Sequence, residues 1–161
     1  MQDFLEAYKL SRGRFEDAVG GLSQTQLNWR IQPGTLTIGE SAMHVAGAEV
    51  NFISQLLGTE LDEYGARLKR AATEGIVEDV PFPYSPEEMT PDAVVKALAF
   101  GRGMAEPIIA SPSEAVRAKI IKSVLGPMID GTGALARLAF HAGYHQGQAY
   151  LIASAQNFPK A

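Results

Sequence analysis

The chain has 161 residues, 46% of them apolar and 20% charged, with a formal net charge of −4. That composition fits one globular domain spanning residues 1–161 and large enough to bury a core. The negative balance and the lack of any Lys/Arg cluster exclude nucleic-acid binding through a basic patch. The chain has no cysteine, which excludes disulfides, thiolate-ligated zinc and a thiol nucleophile of its own, and suits a reducing cytoplasm.

The opening MQDFLEAYKLSRGRF mixes charges into its apolar residues and offers no signal-peptide core. No run approaches the ~18 uninterrupted apolar residues of a membrane span. A cytoplasmic protein with no membrane partner is expected.

Four stretches carry helical periodicity. The first runs from Asp3 to Val19, with Phe4, Leu5, Tyr8, Phe15, Ala18 and Val19 at three- and four-residue steps, and Gly20-Gly21 ends it. The segment to Thr35, with Pro33-Gly34, is a connection. The second helix begins at Thr37, where Thr37-Ile38-Gly39-Glu40 has the form of a capping box, and stops near Leu57 at Gly58.

Residues 58–89 are rich in charge and close on PFPYSP, so a loop with a short helix is expected. The third helix opens at Thr90-Pro91-Asp92, and Pro107 should kink or end it. Within 111–131, AVRAKIIKSVL fits a short helix or an extended piece. The fourth helix runs from Thr132 to Gln156. Four long helices without a convincing sheet predict an all-α fold, an antiparallel four-helix bundle with long crossover connections.

His44, His141 and His145 are the only histidines. His141 and His145 share one face of the fourth helix, their Cβ atoms about 5–6 Å apart. Leu138, Gln148, Ala149 and Ile152 lie on the same stripe, so it faces the interior. Three imidazoles with an open fourth position make a catalytic metal site. The competing reading is three hydrogen-bonded histidines without a metal.

His44 shares its face with Glu40, Ala48, Asn51 and Gln55, a polar stripe that either faces solvent or lines a wet pocket. On the far side of the fourth helix, Ala136, Gly143, Gly147 and Ser154 allow close approach, either within the chain or across a homodimer seam.

These residues bring a family into view. LNWRIQPGTLTIGESAMHVAGAE, with Trp29, Pro33, Gly34, His44 and Glu49, and HAGYHQGQ, with His141, His145, Gly147 and Gln148, resemble the two signature segments of the DinB/YfiT-like superfamily. Gln146 stands where that family often has arginine, and Phe52 where it often has tryptophan. The resemblance implies a four-helix bundle, frequently a homodimer, holding a divalent metal such as Zn or Ni on His44, His141 and His145. It also implies thiol-dependent S-transferase-type chemistry on a small-molecule substrate, with a low-molecular-weight thiol as co-substrate.

A metal-dependent hydrolase and a non-catalytic, stress-related metal-binding protein are the alternatives. Further candidates around the centre are Gln148 to orient a ligand, Glu40 as base or extra ligand against a capping role, and Arg137 to meet an anionic substrate. Glu49 falls within an apolar arc, so its carboxylate needs a partner such as Arg30 or Arg137.

Overall fold

The computed structural model describes residues 4–160. In chain order these form α1 (Leu5–Val19), α2 (Gln24–Asn28), α3 (Ile38–Leu57), α4 (Glu63–Arg70), α5 (Pro91–Ala110), α6 (Glu114–Ala118), β1 (Ile120–Lys122), β2 (Met128–Asp130) and α7 (Gly131–Ala153). The four long helices are those the periodicity predicts, and the fold is all-α apart from one two-stranded hairpin. Asp3, expected at the start of the first helix, lies outside the described residues.

Local chemistry sets the helix ends. The Thr37 hydroxyl accepts the Glu40 N–H at 3.1 Å and the Glu40 carboxylate accepts the Thr37 N–H at 2.7 Å, so the capping box is complete. Gly58 takes a left-handed φ of 68° at the other end of α3. Thr90 caps α5 ahead of Pro91, and Asp130 caps α7 through the Gly133 N–H at 2.7 Å.

Pro107 does not end α5, which continues to Ala110. The proline removes one donor, which would have bonded the Gly103 carbonyl. Both residues are solvent-exposed, so water can take the place of the missing bond.

Two buried clusters fix the directions of the helices. Phe15 and Val19 of α1 pack with Ala42, Met43 and Val45 of α3, Val94 and Leu98 of α5, and Ala149 and Ile152 of α7. Leu5 and Tyr8 pack with Phe52, Ile53 and Leu56, with Ala105 and Ile109, and with Leu135 and Leu138. Hence α1 and α7 run one way and α3 and α5 the other. Two parallel helices consecutive in the bundle cannot be joined by a tight turn, which is why 58–90 is a long crossover carrying α4.

The second connection resolves the ambiguity of AVRAKIIKSVL. Its first half is the end of α6, and its second half is β1, paired antiparallel with β2 through Ile121↔Ile129. Gln55 of α3 extends that edge: its amide donates to the Lys122 carbonyl and its oxygen accepts the Lys122 N–H, both at 3.1 Å.

Candidate metal centre

α3 is buried on nearly every side, so the stripe carrying His44 does not face bulk water, and His44 and Ala48 of that stripe line a pocket. His44 is 5% exposed and His145 4%, while His141 is half-buried. The Nε2 of His141 lies 3.1 Å from the Nε2 of His44 and 3.1 Å from the Nε2 of His145. One ligand nitrogen from each residue falls within 4.8 Å of the others. The edge of a tetrahedron with metal–nitrogen bonds of about 2.0–2.1 Å is roughly 3.3 Å, so the 3.1 Å separations suit such an ion.

The tautomer of His44 follows from its other nitrogen. Nδ1 is 3.1 Å from the Ala71 carbonyl oxygen. A carbonyl only accepts, so Nδ1 carries the proton and Nε2 presents a lone pair. That carbonyl reaches the ring because Gly47, one turn past His44, has no side chain. A Cβ at Gly47 would overlap the Leu68 carbonyl oxygen and stand 3.0 Å from the Ala72 nitrogen.

Burial, foremost, lowers the pKa of all three rings. For His141 the positive forms of His44 and His145 add to the effect, and His145 is brought down to about 3. The imidazoles are therefore neutral at neutral pH and able to ligate. The two 3.1 Å contacts that share the His141 Nε2 cannot both hold a proton in a linear hydrogen bond when all three rings are neutral, a conflict that a cation resolves. The Nδ1 of His145 is buried without a hydrogen-bond partner.

The histidines form one wall of a pocket of about 610 Å³. Ala48, Phe52, Phe140 and Tyr144 supply apolar and aromatic surface from α3 and α7. Ile76 and Val77, from the crossover, and Val124 and Leu125, from the hairpin turn, close the other sides. Sequence reasoning missed these four, because no periodicity marks a loop as a pocket wall. Larger clefts exist elsewhere, including one between α1 and α5, but no histidine lines it.

Gln148 and Arg137 both line the histidine pocket, and Arg137 donates to the Ser123 hydroxyl at 2.7 Å. Glu40 does not line it. One Glu40 oxygen closes the capping box and the other accepts from Arg30 at 2.6 Å.

Glu49 is buried, as its helical position requires, but neither Arg30 nor Arg137 is its partner. Arg12 of α1 donates to it through Nε at 2.8 Å, and the Tyr8 hydroxyl donates at 2.8 Å. Arg12 also reaches the Leu98 carbonyl at 2.7 Å. The network ties three helices together and lies outside the histidine pocket.

Fold and site together define a class: helical bundles with a three-histidine centre able to hold a metal ion on one side of a small-molecule-sized pocket. The sequence itself agrees. The DinB superfamily profile matches residues 7–149, and the chain belongs to that superfamily. A crystal structure described as the conserved protein of locus from Enterococcus faecalis is similar at a TM-score of 0.68, with 18% identity over 94% of this chain and 93% of that one. At that identity the likeness concerns the fold alone. Among curated proteins none matches the chain.

Proposed function

We propose that the chain is a divalent-metal-dependent enzyme that joins a low-molecular-weight thiol to an electrophilic small molecule at the three-histidine centre. The observation that carries this reading is the convergence of three neutral imidazole nitrogens on the wall of an apolar pocket. His44, His141 and His145 would hold the ion, with zinc or nickel the natural choices for imidazole donors. Bound there, the ion supplies Lewis acidity that lowers the pKa of a coordinated thiol or water.

The protein's own groups do the rest. The Ala71 carbonyl keeps the His44 ring in its ligating tautomer. Phe52, Phe140 and Tyr144 give the reacting sulfur apolar and aromatic walls, and Gln148 orients the ligand. The thiol proton leaves to solvent, the sulfur–carbon bond forms, and the acceptor's leaving group departs with the electron pair of the broken bond.

Hydrolysis is the second reading. Among the described residues no Asp or Glu lines this pocket, so a water nucleophile, like the thiol, would depend on the ion alone for its activation. The absence of cysteine from the chain leaves the thiol to come from outside, as in a thiol-rich cytoplasm.

The test is metal-loaded protein assayed with several bacterial thiols and an aryl halide. Metal-dependent conjugation that disappears in His145→Ala supports the reading. Ester cleavage without thiol would favour the hydrolase. Tight metal binding with neither activity would favour a non-catalytic metal-binding protein.

The same reading includes a homodimer. Tyr144, Tyr150, Leu151 and Phe140 are 53–67% exposed on one side of α7, a patch that a second copy would cover.

A further inference from the structure

We propose that Arg137 forms an anion subsite in the histidine pocket, so that the molecule bound there carries a carboxylate on an apolar body. The inference rests on the histidine pocket being the functional site, but not on a metal being present.

Arg137 is half-buried and is the only Asp, Glu, Lys or Arg lining the pocket. The ion pairs among the described residues employ Lys9, Arg12, Arg30, Arg67, Arg70 and Arg102, and none includes Arg137. In a chain with an acidic balance of −4, a half-buried guanidinium without a carboxylate is the exception. A half-buried charge gains from a partner of opposite sign, because part of its hydration is already lost.

The group is also held ready. Its Nη1 donates to the Ser123 hydroxyl at 2.7 Å. Ser123 is 3% exposed and is anchored by its own N–H to the Pro127 carbonyl at 2.9 Å. One of five guanidinium donors is thereby used, which leaves a planar face able to grip a carboxylate in two places. Because the side chain is already positioned, little freedom is lost on binding.

Arg137 precedes His141 by one helical turn, about 6 Å along the axis. Phe140 lies between them in sequence, and Phe52 and Leu125 also line the pocket. A small ligand therefore has its charged end at Arg137, its apolar body against these side chains and its reacting atom at the imidazoles.

Titration calorimetry with 3-phenylpropanoate and its neutral amide tests this. Zinc-loaded wild-type protein, Arg137→Met and Arg137→Gln are each titrated, metal content is measured on every sample, and the wild type is repeated without zinc. The acid should bind the wild type at least ~10-fold more tightly than the amide, as one charge-assisted contact implies.

That ratio should collapse to about 1 in both variants, with amide affinity unchanged. Equal binding of acid and amide by metal-loaded wild type overturns the subsite and leaves the metal reading intact. A preference that survives in both variants also overturns it, because the carboxylate then sits on the metal or elsewhere. If the protein holds no zinc yet prefers the acid only when Arg137 is present, the subsite stands and the metal reading fails.

Discussion

Neutrality of the three imidazoles has a consequence that can be signed. Burial lowers their pKa values in the folded state, so between about 6.5 and those lowered values the unfolded chain binds more protons than the folded one. Metal-free protein therefore has this part of its stability fully above about pH 6.5 and loses it as pH falls, for His145 down to about 3. Urea midpoints should be level from pH 7.5 to about 6.5 and fall from there to pH 4.5.

Metal occupancy should drop over the same acidic range, since protons compete for the same nitrogens; elemental analysis after dialysis at each pH measures it. His145→Ala should weaken zinc binding by more than about 100-fold, beyond the usual cost of losing an outer partner, while circular dichroism keeps the helical signal.

A second residue-scale prediction concerns Glu49. Truncating it to alanine leaves the fully buried Arg12 guanidinium with Glu16 and the Leu98 carbonyl as its remaining partners and should cost about 3 kcal/mol in denaturant unfolding, the low end for a broken buried ion pair. Replacing both residues together, as Arg12→Met with Glu49→Leu, should recover much of that loss.

The histidines were legible because three rare residues with an i,i+4 pair leave few alternatives. The burial of Glu49 was legible too. Its partner was not, since a helical wheel gives the angle of a side chain but not which helix lies opposite.

Among the elements, α3 and α4 meet through a single missing side chain. Gly47→Ala would push the end of α4 away and withdraw the Ala71 carbonyl from His44. Zinc affinity should then fall by roughly 10–100-fold, the cost of an outer-shell partner, although no ligand has changed; competition with a chromophoric chelator reads it.

The ends of α3 and the start of α5 were readable from capping residues, because a cap is a local hydrogen bond between neighbours. The β1–β2 hairpin was not, as three-residue strands are too short to display a period of two. The role of Gln55 was hidden for the same reason: its partner, Lys122, belongs to that hairpin. Pro107 does not end α5 because the Gly103 carbonyl it leaves without a donor is exposed and can bond water.

At the scale of the molecule, α7 presents two unlike faces. Towards α1 it is close-packed: Ser11 donates to the Ala139 carbonyl at 2.7 Å, and a Cβ on Gly143 would stand 3.3 Å from the Ser11 Cβ. The small residue at 143 thus serves an intramolecular contact. Gly147 is open and neighbours the exposed aromatic patch. On the homodimer proposal, the wild type should sediment as a dimer and Leu151→Lys as a monomer in analytical ultracentrifugation, with zinc content per chain unchanged. No helix among the described residues is long and apolar enough to cross a membrane, so a bilayer-spanning role does not explain that patch.

The division of labour around the histidines has one more outcome. The rings are borne by rigid rods, whereas Ile76, Val77, Val124 and Leu125 belong to connections. Connections tolerate insertion and exchange far better than packed rods do. Lineages descended from this scaffold can accordingly retune which molecules they accept by rewriting two short stretches of chain, leaving the three imidazoles untouched.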